Sequence, residues 1–480
     1  MFKKKNIRVL HVGFGFIPWR GGGLIEYAED LMEEQVRQGY EVYYFCSGRQ
    51  YPFFRNLFLK RWRHKKGFVV YELINPPIYH GGGTGTIDDT DSPICEYYFL
   101  KILKEIKPDI IHIQELAGLP SSLIEIAKNY APLIMTLQDY FLLCPTLKLF
   151  DFNYENCLEM NLGNKCVKCV GNVSMNKSKL IKNTIRYELK RILPFNFSQN
   201  IKNFLRKVYK NFSFFLIYTK AKPDIMPSEE LIKFFQARRE KNIKRLSMID
   251  LLIAQSYKVE QIYKYFLGEK SNIITIHSTV KHIELISPKN NEVNYPIKFA
   301  TLNGFTSIPK GAYLLWETIK KVLSKGLQDK FELHIFGGIA DEIKQEIKKY
   351  KNIFYHGPYK VEELDKILEN INVGIVPSIW EEAYGYVGIE FLAKGIPVIG
   401  NNRGGIIDYV KEGFTGWINK TNSPEELAGI MENIIKQPKS IEILNKKILK
   451  NRDIIIKTIK QHTLEMHDIY KNLLTKRGKL

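Results

Sequence analysis

The residues best suited to chemistry are two glutamates, Glu382 and Glu390, which have seven residues between them. They follow an apolar run that predicts a strand, and two intervening glycines predict a tight turn into a helix. Glu382, on the loop, can reach into a cleft. Glu390, near the start of the helix, can accept hydrogen bonds from a vicinal diol such as that of a ribose. The turn also lets the backbone N–H groups of Tyr386 and Val387 approach a phosphate.

Two other glycine pairs predict close approaches of the backbone to a ligand. Gly22 and Gly23 precede residues 24–38, which repeat apolar positions at helical spacing, and Gly404 and Gly405 follow the glutamate segment. Helix N-termini carry free N–H groups and a partial positive charge, so a diphosphate is their natural occupant.

The elements that must position these residues alternate between strand and helix. In the first half, apolar runs at 7–15, 41–45, 109–113 and 132–137 predict strands, with helices between them. Runs that are apolar throughout are typical of a parallel sheet buried on both faces. The second half repeats the scheme, with strands predicted at 298–304, 331–337, 352–357, 373–378 and 397–401 and helices around 311–325, 341–350, 361–370 and 388–395.

We therefore predict an α/β fold with two Rossmann-like, doubly wound domains that face each other across a cleft, and a basic helical insertion in the first. The predicted domains are residues 1–283, a linker at 284–296, residues 297–459 and a C-terminal helix in 460–480. That helix carries Leu464, Ile469, Leu473 and Leu474 on one side, which must pack on a domain surface.

The composition excludes several classes of protein. Of the 480 residues, 45% are hydrophobic and 25% charged, so the chain is not disordered as a whole. The longest apolar runs are too short to span a bilayer, and the N-terminus lacks the long apolar core of a signal peptide. We expect a cytoplasmic protein.

The net charge of +20 favours anionic partners. Twelve basic residues and one acid lie in 171–222, and residues 55–66 add six more basic residues. The mixture of cations with Phe, Tyr and Leu in 176–222 predicts amphipathic helices that suit an anionic membrane surface, at the inner face of the membrane. A solvated helical insertion is the alternative. No nucleic-acid-binding motif supports nucleic acid as the partner.

Four cysteines, Cys144, Cys157, Cys166 and Cys169, are separated by 12, 8 and 2 residues. The C-x2-C end suits a single metal, and four thiolates could form a closed structural zinc site or hold an iron–sulfur cluster. The polar loop between them would be stabilised by such a metal. Reduced, unligated thiols are the alternative reading. With a metal, the loop at 144–169 has a structural role.

The order of these motifs resembles the family 4 retaining glycosyltransferases of GT-B fold. The segment 377–418 resembles their Glu-x7-Glu signature, PWRGGGLIEYAEDL resembles their glycine-rich loop, and IHIQ…LIMTLQDYFLLCP resembles their His-Asp-aromatic motif. The tripeptide PKG at 309–311 stands where the family has its phosphate-binding Lys-Gly. The resemblance runs from the first strand to the final helix and is weak over 170–245.

The resemblance implies a role for each matching residue. Lys310 neutralises the diphosphate leaving group, Glu382 binds hydroxyls of the transferred sugar, and Glu390 binds the nucleotide ribose. The Gly22–Gly23 turn and the backbone of 386–387 meet the donor phosphates. The implied reaction transfers a glycosyl unit from a nucleotide sugar with retention of configuration, through an oxocarbenium-like transition state and without a catalytic metal.

Two positions depart from the family pattern. Gln138 replaces the usual His before Asp139, and Phe305 stands where an Arg is often found before the Lys-Gly. Gln138 can still hydrogen-bond a sugar but cannot be cationic, and Arg20 or Arg403 are candidates for the missing phosphate cation.

We predict an enzyme that uses a nucleotide sugar to glycosylate a glycan or a lipid-linked acceptor in cell-surface polysaccharide or glycolipid biosynthesis. The departures also fit an inactive, basic binding protein on the same scaffold. A sugar-nucleotide epimerase of similar shape is a third reading.

Overall fold

The computed structural model describes residues 7–51, 56–76, 90–159, 163–171, 184–185, 187–188 and 229–478. Two sheets organise these residues, one in each half of the chain. The strands of the first sheet are β1 (Arg8–Gly13), β2 (Glu41–Ser47), β3 (Phe58–Arg63), β4 (Val69–Ile74), β5 (Ile110–Ile113), β6 (Leu133–Leu137), β7 (Leu251–Ala254) and β8 (Ile273–Thr275). Those of the second are β9 (Ile297–Leu302), β10 (Phe331–Phe336), β11 (Ile353–Gly357), β12 (Val373–Val376), β13 (Val398–Asn401) and β14 (Gly416–Asn419).

The strand orders are those of doubly wound domains. The first sheet runs β3-β4-β2-β1-β5-β6-β7-β8, and the second runs β11-β10-β9-β12-β13-β14. Every pairing is parallel except that of edge strand β3 with β4. In each sheet the order of successive strands reverses at a central strand, which is β1 in the first sheet and β9 in the second. Ligands of such folds bind beyond the carboxyl ends of the strands at this reversal. The predicted pair of Rossmann-like domains is confirmed.

The α-helices lie between these strands and after the last of them. They are α1 (Gly23–Arg37), α2 (Pro93–Ile106), α3 (Leu123–Lys128), α4 (Gly163–Gly171), α5 (Glu229–Leu246), α6 (Tyr257–Leu267), α7 (Ala312–Ser324), α8 (Asp341–Glu346), α9 (Leu364–Ile367), α10 (Tyr386–Ala393), α11 (Ile406–Tyr409), α12 (Pro424–Lys436), α13 (Lys439–Lys450), α14 (Arg452–Ile455) and α15 (Ile459–Lys476). The helix predicted at 361–370 is a short α-helical turn between two 3-10 turns.

The C-terminal helix α15 returns to the first domain and packs on α1. The hydroxyl of Tyr27 lies 2.8 Å from Nε2 of His462, and Nε2 of Gln35 donates to the hydroxyl of Tyr470 at 3.1 Å. The predicted apolar face of this helix is partly wrong, because Leu464 is 48% exposed. The buried face mixes polar and apolar side chains because α1 presents polar groups to it, and its members are Ile459, His462, Thr463, Met466, Tyr470 and Leu474.

The described end of the predicted basic insertion (171–245) is a packed helix rather than a basic surface. Arg238 and Arg239 of α5 are buried and donate to the carbonyl oxygens of Phe141 and Leu143 at 2.9 and 2.8 Å. Arg245 is also buried and pairs with the carboxylates of Asp91, at 2.8 Å, and of Glu125 in α3, at 2.9 Å. These cations hold the first domain together. Most of 176–222, the predicted amphipathic segment, lies outside the described residues.

In the part of the chain that the structure describes, we find no helix with the length and apolar character needed to cross a membrane.

Candidate active site

A cavity of about 480 Å³ lies between the two sheets, and both domains line it. Its walls are formed by loops that follow the carboxyl ends of the central strands, as the doubly wound fold predicts. It brings together most of the residues that the sequence singled out, namely Gly22, Gly23, Gln138, Lys310, Glu382, Tyr386, Val387 and Glu390.

Glu382 and Lys310 form an ion pair on the wall of the second domain. Lys310 ends a 3-10 turn (Ile308–Lys310) after β9, and Glu382 lies on the loop between β12 and α10. The second carboxylate oxygen of Glu382 accepts a hydrogen bond of 2.8 Å from the hydroxyl of Ser378. Both oxygens are therefore occupied, and the carboxylate holds the ammonium group at the edge of the cavity.

Glu390 is joined to the first domain through a histidine. The two ring nitrogens of His282 lie 2.7 Å from a carboxylate oxygen of Glu26 and 2.9 Å from Oε1 of Glu390. Both nitrogens face carboxylates, so both donate and the ring is an imidazolium. Burial opposes this charge, but the hydrogen bonds to the two glutamates outweigh it and raise the pKa of His282 to about 10.

The second oxygen of Glu390, Oε2, is buried and has no hydrogen-bond partner among the residues that the structure describes. The residue lines the cavity while its side chain is only 8% exposed. A buried carboxylate oxygen without a donor is costly, so a ligand that supplies a hydroxyl here would be stabilised.

The N-terminus of α10 meets the glycine loop of the first domain. Gly385 caps this helix with a φ of 83°, a left-handed conformation that glycine adopts without strain. The first N–H groups of the helix, from Tyr386 onward, have no partner within the helix and border the cavity. Across the gap, a Cβ on Gly23 would lie 2.8 Å from the ring of Tyr386. Glycine at 23 therefore allows the two domains to approach closely.

Gly404 and Gly405 do not line the cavity. The N–H of Gly404 donates to a carboxylate oxygen of Glu381 at 2.7 Å, and that of Gly405 donates to the carbonyl of Glu382 at 2.8 Å. A Cβ on Gly404 would lie 2.2 Å from the carbonyl oxygen of Glu382. The structure therefore places this pair behind the glutamate loop, which it supports.

Gln138 lines the cavity, whereas Asp139 does not. The side-chain amide of Gln138 donates twice to Gln114 at 3.1 Å, and its own oxygen has no partner among the described residues. Asp139 instead accepts a hydrogen bond of 2.9 Å from the N–H of Phe141. Burial, which penalises a charged carboxylate, raises the pKa of both Asp139 and its neighbour Glu115.

The predicted metal site is not formed. Within the described ranges, which include all four cysteines, no three His, Cys, Asp or Glu side chains are grouped so that they could hold a metal ion. Cys144, Cys157 and Cys166 are buried, and burial raises the pKa of the Cys157 and Cys166 thiols, because a thiolate is poorly solvated there. The structure therefore does not support a zinc ion or an iron–sulfur cluster, and shows free thiols.

The loop that carries these cysteines has another role in the structure, which is to contact the second domain. The amide of Asn156 donates to the carbonyl of Ile379 at 3.1 Å and accepts from the N–H of Glu381 at 3.2 Å. The hydroxyl of Tyr140 donates to the carbonyl of Glu381 at 2.9 Å. The loop therefore helps to position the glutamate segment from across the cleft.

Sequence reasoning missed His282, Glu26 and Tyr359, all of which line the cavity. None lies in a glycine-rich turn, and histidine and tyrosine are as common in cores as in sites. The spacing of Glu26, three residues into α1, was the one available signal, because it puts the side chain next to the glycine loop. Phe305 is fully buried in the core of the second domain, so no cation stands at that position.

Comparison with known proteins agrees with this fold. Residues 284–451 match the family model described as glycosyl transferases group 1. A protein of 42.6 kDa encoded in the cps region of Klebsiella pneumoniae is 22% identical over 311 residues, which are 65% of this chain and 61% of that protein. A 41.2 kDa protein of a cps region in the same species is 28% identical over 104 residues, or 22% of this chain and 28% of that one. The chain thus spans less than two thirds of either relative.

Solved structures show the same architecture. Sucrose-phosphate synthase from Thermosynechococcus elongatus superposes with a TM-score of 0.60 at 14% identity, over 98% of this chain and 100% of that one. Alr3699/HepE from Anabaena, solved with UDP and glucose, has a TM-score of 0.56 at 12% identity, over 96% of this chain and 100% of that one. Similarity at this level establishes the fold. Residues 284–451 are therefore similar to the glycosyl transferases group 1 family, and the chain has a two-domain GT-B fold.

Proposed function

We propose that this protein is a family 4 retaining glycosyltransferase that moves a sugar from a nucleotide-diphosphate sugar to a glycan or a lipid-linked acceptor. The observation that carries the proposal is the buried, unpartnered Oε2 of Glu390, which stands in a cavity of about 480 Å³. A ribose hydroxyl supplies the missing donor. The Glu-x7-Glu spacing of Glu382 and Glu390 supports the family assignment.

The remaining walls suit the other parts of such a donor. The start of α10 and the Gly22–Gly23 turn offer N–H groups to the diphosphate. Gly337, Gly338 and Tyr359 also line the cavity, and we assign the base to this part of its lining. The transferred sugar then lies between Glu382 and Gln138, one from each domain.

The proposed chemistry depends on the pairing of Lys310. In the ligand-free structure its ammonium is bound to Glu382. When the diphosphate departs, negative charge develops on the phosphate oxygens, and Lys310 together with the N–H groups of α10 stabilises that charge. Glu382 becomes available to accept hydrogen bonds from sugar hydroxyls. These groups can provide the positive charge without a catalytic metal. Closure of the cleft positions the two substrates.

The relatives support a role in cell-surface polysaccharide synthesis. Two of them are described as proteins of a cps region, and the Anabaena structure contains UDP-glucose in one of its complexes. We propose a cytoplasmic protein that works at the inner membrane face when its acceptor is lipid-linked.

A binding screen tests the donor site. UDP, GDP, ADP and CDP are titrated calorimetrically and by thermal shift, and at least one is expected to stabilise the protein because it binds only the folded form. Glu390→Gln should weaken that nucleotide about tenfold, since a charged hydrogen bond to the ribose is replaced by a neutral one. Glu317→Gln, at an exposed position, is the matched control. The proposal fails if none of the four binds.

Product analysis separates the rival functions. A retaining transferase given the corresponding nucleotide sugar and an acceptor forms a glycoside with the donor's anomeric configuration, which NMR reports directly. An epimerised sugar released without an acceptor indicates an epimerase. Nucleotide binding without turnover of any donor indicates a binding protein.

A further inference from the structure

Arg20 is an arginine without a counter-ion, in the loop between β1 and α1. Its guanidinium carbon lies 4.0 Å from the centre of the Phe14 ring and 4.3 Å from that of the Trp19 ring. Nε and Nη1 are buried and have no hydrogen-bond partner. Nη2 makes no hydrogen bond with the described residues and is not among the buried atoms, so it is the nitrogen that a ligand can reach.

Arg20 is partly buried, and it contrasts with the fully buried arginines of this domain. Arg239 donates to a carbonyl, and Arg49 and Arg245 pair with carboxylates. No carboxylate of the described residues lies within 4.0 Å of Arg20. Stacking on two rings compensates part of the desolvation of a cation, but not the loss of its hydrogen bonds. Burial accordingly lowers the pKa of Arg20 to about 9.

The position of Arg20 places this uncompensated charge beside the cleft. Its electrostatic neighbours are Tyr44 and Cys46 on β2 and Glu115 after β5, so it lies over the carboxyl ends of the first sheet. Gly22 and Gly23, which line the cavity, follow within three residues. Glu115 interacts electrostatically with the arginine but does not form an ion pair with it, because no carboxylate of the described residues lies within 4.0 Å of Arg20.

We propose that Arg20 is an anion-binding residue on the acceptor side of the cleft, and that it receives a phosphate or carboxylate group of the acceptor. This inference rests on the proposed function. The acceptor is favoured over the donor because the second domain already supplies Lys310 and the N-terminus of α10 to a donor diphosphate. Arg20 belongs to the opposite domain, where it lies beside the cavity without being one of its lining residues. The acceptor class is therefore an anionic glycan, such as one that contains uronic acid, or a phosphate-linked carrier.

The test uses the full chain saturated with the nucleoside diphosphate that binds best. Inorganic phosphate, D-glucuronate and D-glucose are titrated separately and followed by ligand-observed NMR. We expect phosphate or glucuronate to bind at least about tenfold more tightly than glucose, as a charge-assisted hydrogen bond predicts. Whichever anion is preferred identifies the acceptor group as phosphate or carboxylate.

Variants connect that preference to the arginine. Arg20→Met should abolish it, Arg20→Lys should retain most of it, and Arg61→Met, an exposed arginine of the same domain, should leave it unchanged. Nucleotide affinity should stay within twofold in all three. If Arg20→Met folds poorly, Arg20→Lys still tests the proposal, because it keeps the positive charge and should therefore retain most of the preference for an anion over glucose.

Three results would overturn the proposal. One is wild-type protein that does not prefer an anion to glucose, and another is Arg20→Met protein that keeps the preference. A tenfold loss of nucleotide affinity in Arg20→Met would assign the arginine to the donor diphosphate instead. If no nucleotide binds, the proposed function fails separately, and the same titrations on the free protein still test Arg20.

Discussion

The two walls of the cleft differ in how their cations are paired. On the wall of the second domain, Lys310 is paired with Glu382, and the one oxygen that Glu390 leaves without a partner among the described residues is the one we assign to the ribose. Beside the wall of the first domain, Arg20 has no carboxylate within 4.0 Å among the described residues. A cation that is already paired is organised before the ligand arrives, whereas an unpaired cation indicates where a ligand could complete the site. In this sense the donor wall is preorganised and the acceptor wall is incomplete.

Removing Lys310 should have the largest effect, because it takes away the cation from the preorganised wall. Lys310→Met is expected to lower kcat about 100-fold or more, the usual cost of losing a group that stabilises developing charge. Steady-state kinetics with the preferred nucleotide sugar provide the measurement. Lys320→Met, an exposed lysine on α7, serves as the control. A kcat within threefold of wild type would show that catalysis does not depend on the Lys310 cation.

His282→Asn should give the next largest effect, because it breaks the connection between Glu26 and Glu390. We expect nucleotide affinity to fall about tenfold and the unfolding free energy to drop by about 1.5–3 kcal/mol, as for hydrogen bonds to charged groups. Calorimetry and urea unfolding measure the two quantities. His356→Asn, at an exposed site on β11, is the matched control.

The stability contribution of His282 depends on pH with a definite sign. Its folded-state pKa is raised from 6.5 to about 10, so its contribution is fully present below pH 6.5 and is lost as the pH rises toward 10. The difference in unfolding free energy between wild type and His282→Asn should therefore shrink over that range. A difference that is constant from pH 6.5 to 10 would mean that the ring is neutral.

Gly23→Ala should have a smaller effect and tests how closely the walls approach. The added Cβ would lie 2.8 Å from the Tyr386 ring, which must then move. We expect nucleotide affinity to fall about threefold, since a side-chain shift of this kind costs under about 1 kcal/mol. Gly21→Ala is an apt control because nothing lies within 4 Å of a Cβ there. If Gly23→Ala and Gly21→Ala lowered nucleotide affinity equally, the contact between Gly23 and the Tyr386 ring would not be part of the nucleotide-binding conformation.

Gln138→Met should have the smallest effect on nucleotide binding, because Gln138 lies on the incomplete wall and faces the transferred sugar rather than the nucleotide. Two hydrogen bonds to Gln114 are lost, so the unfolding free energy is expected to fall by about 1 kcal/mol. Nucleotide affinity should stay within twofold of wild type. If it dropped as far as in Glu390→Gln, the two walls would not divide donor from acceptor as their polar groups indicate.

Much of the fold and of the donor wall was predictable because it rests on local patterns. Apolar runs of four to six residues marked the strands, and the glycines before α1 and α10 marked the helix starts that border the cavity. The Gly404–Gly405 turn was equally visible, but its contact with the backbone of Glu382 depends on a packing that no local pattern describes. The spacing of the four cysteines predicted that their thiols form one metal site. In the folded chain, no three His, Cys, Asp or Glu side chains among the described residues are grouped so that they could hold a metal.

By itself, the sequence determined the two doubly wound domains and the glutamate loop, because periodicity and turn residues act over a few neighbouring positions. Only the tertiary structure decided which charges are compensated. His282 lies 256 residues from Glu26 and 108 from Glu390, and the contacts between them exist only when the two domains face each other. Whether a side chain such as Arg20 finds a counter-ion depends on what the rest of the chain brings within 4 Å of it, which spacing along the sequence does not encode.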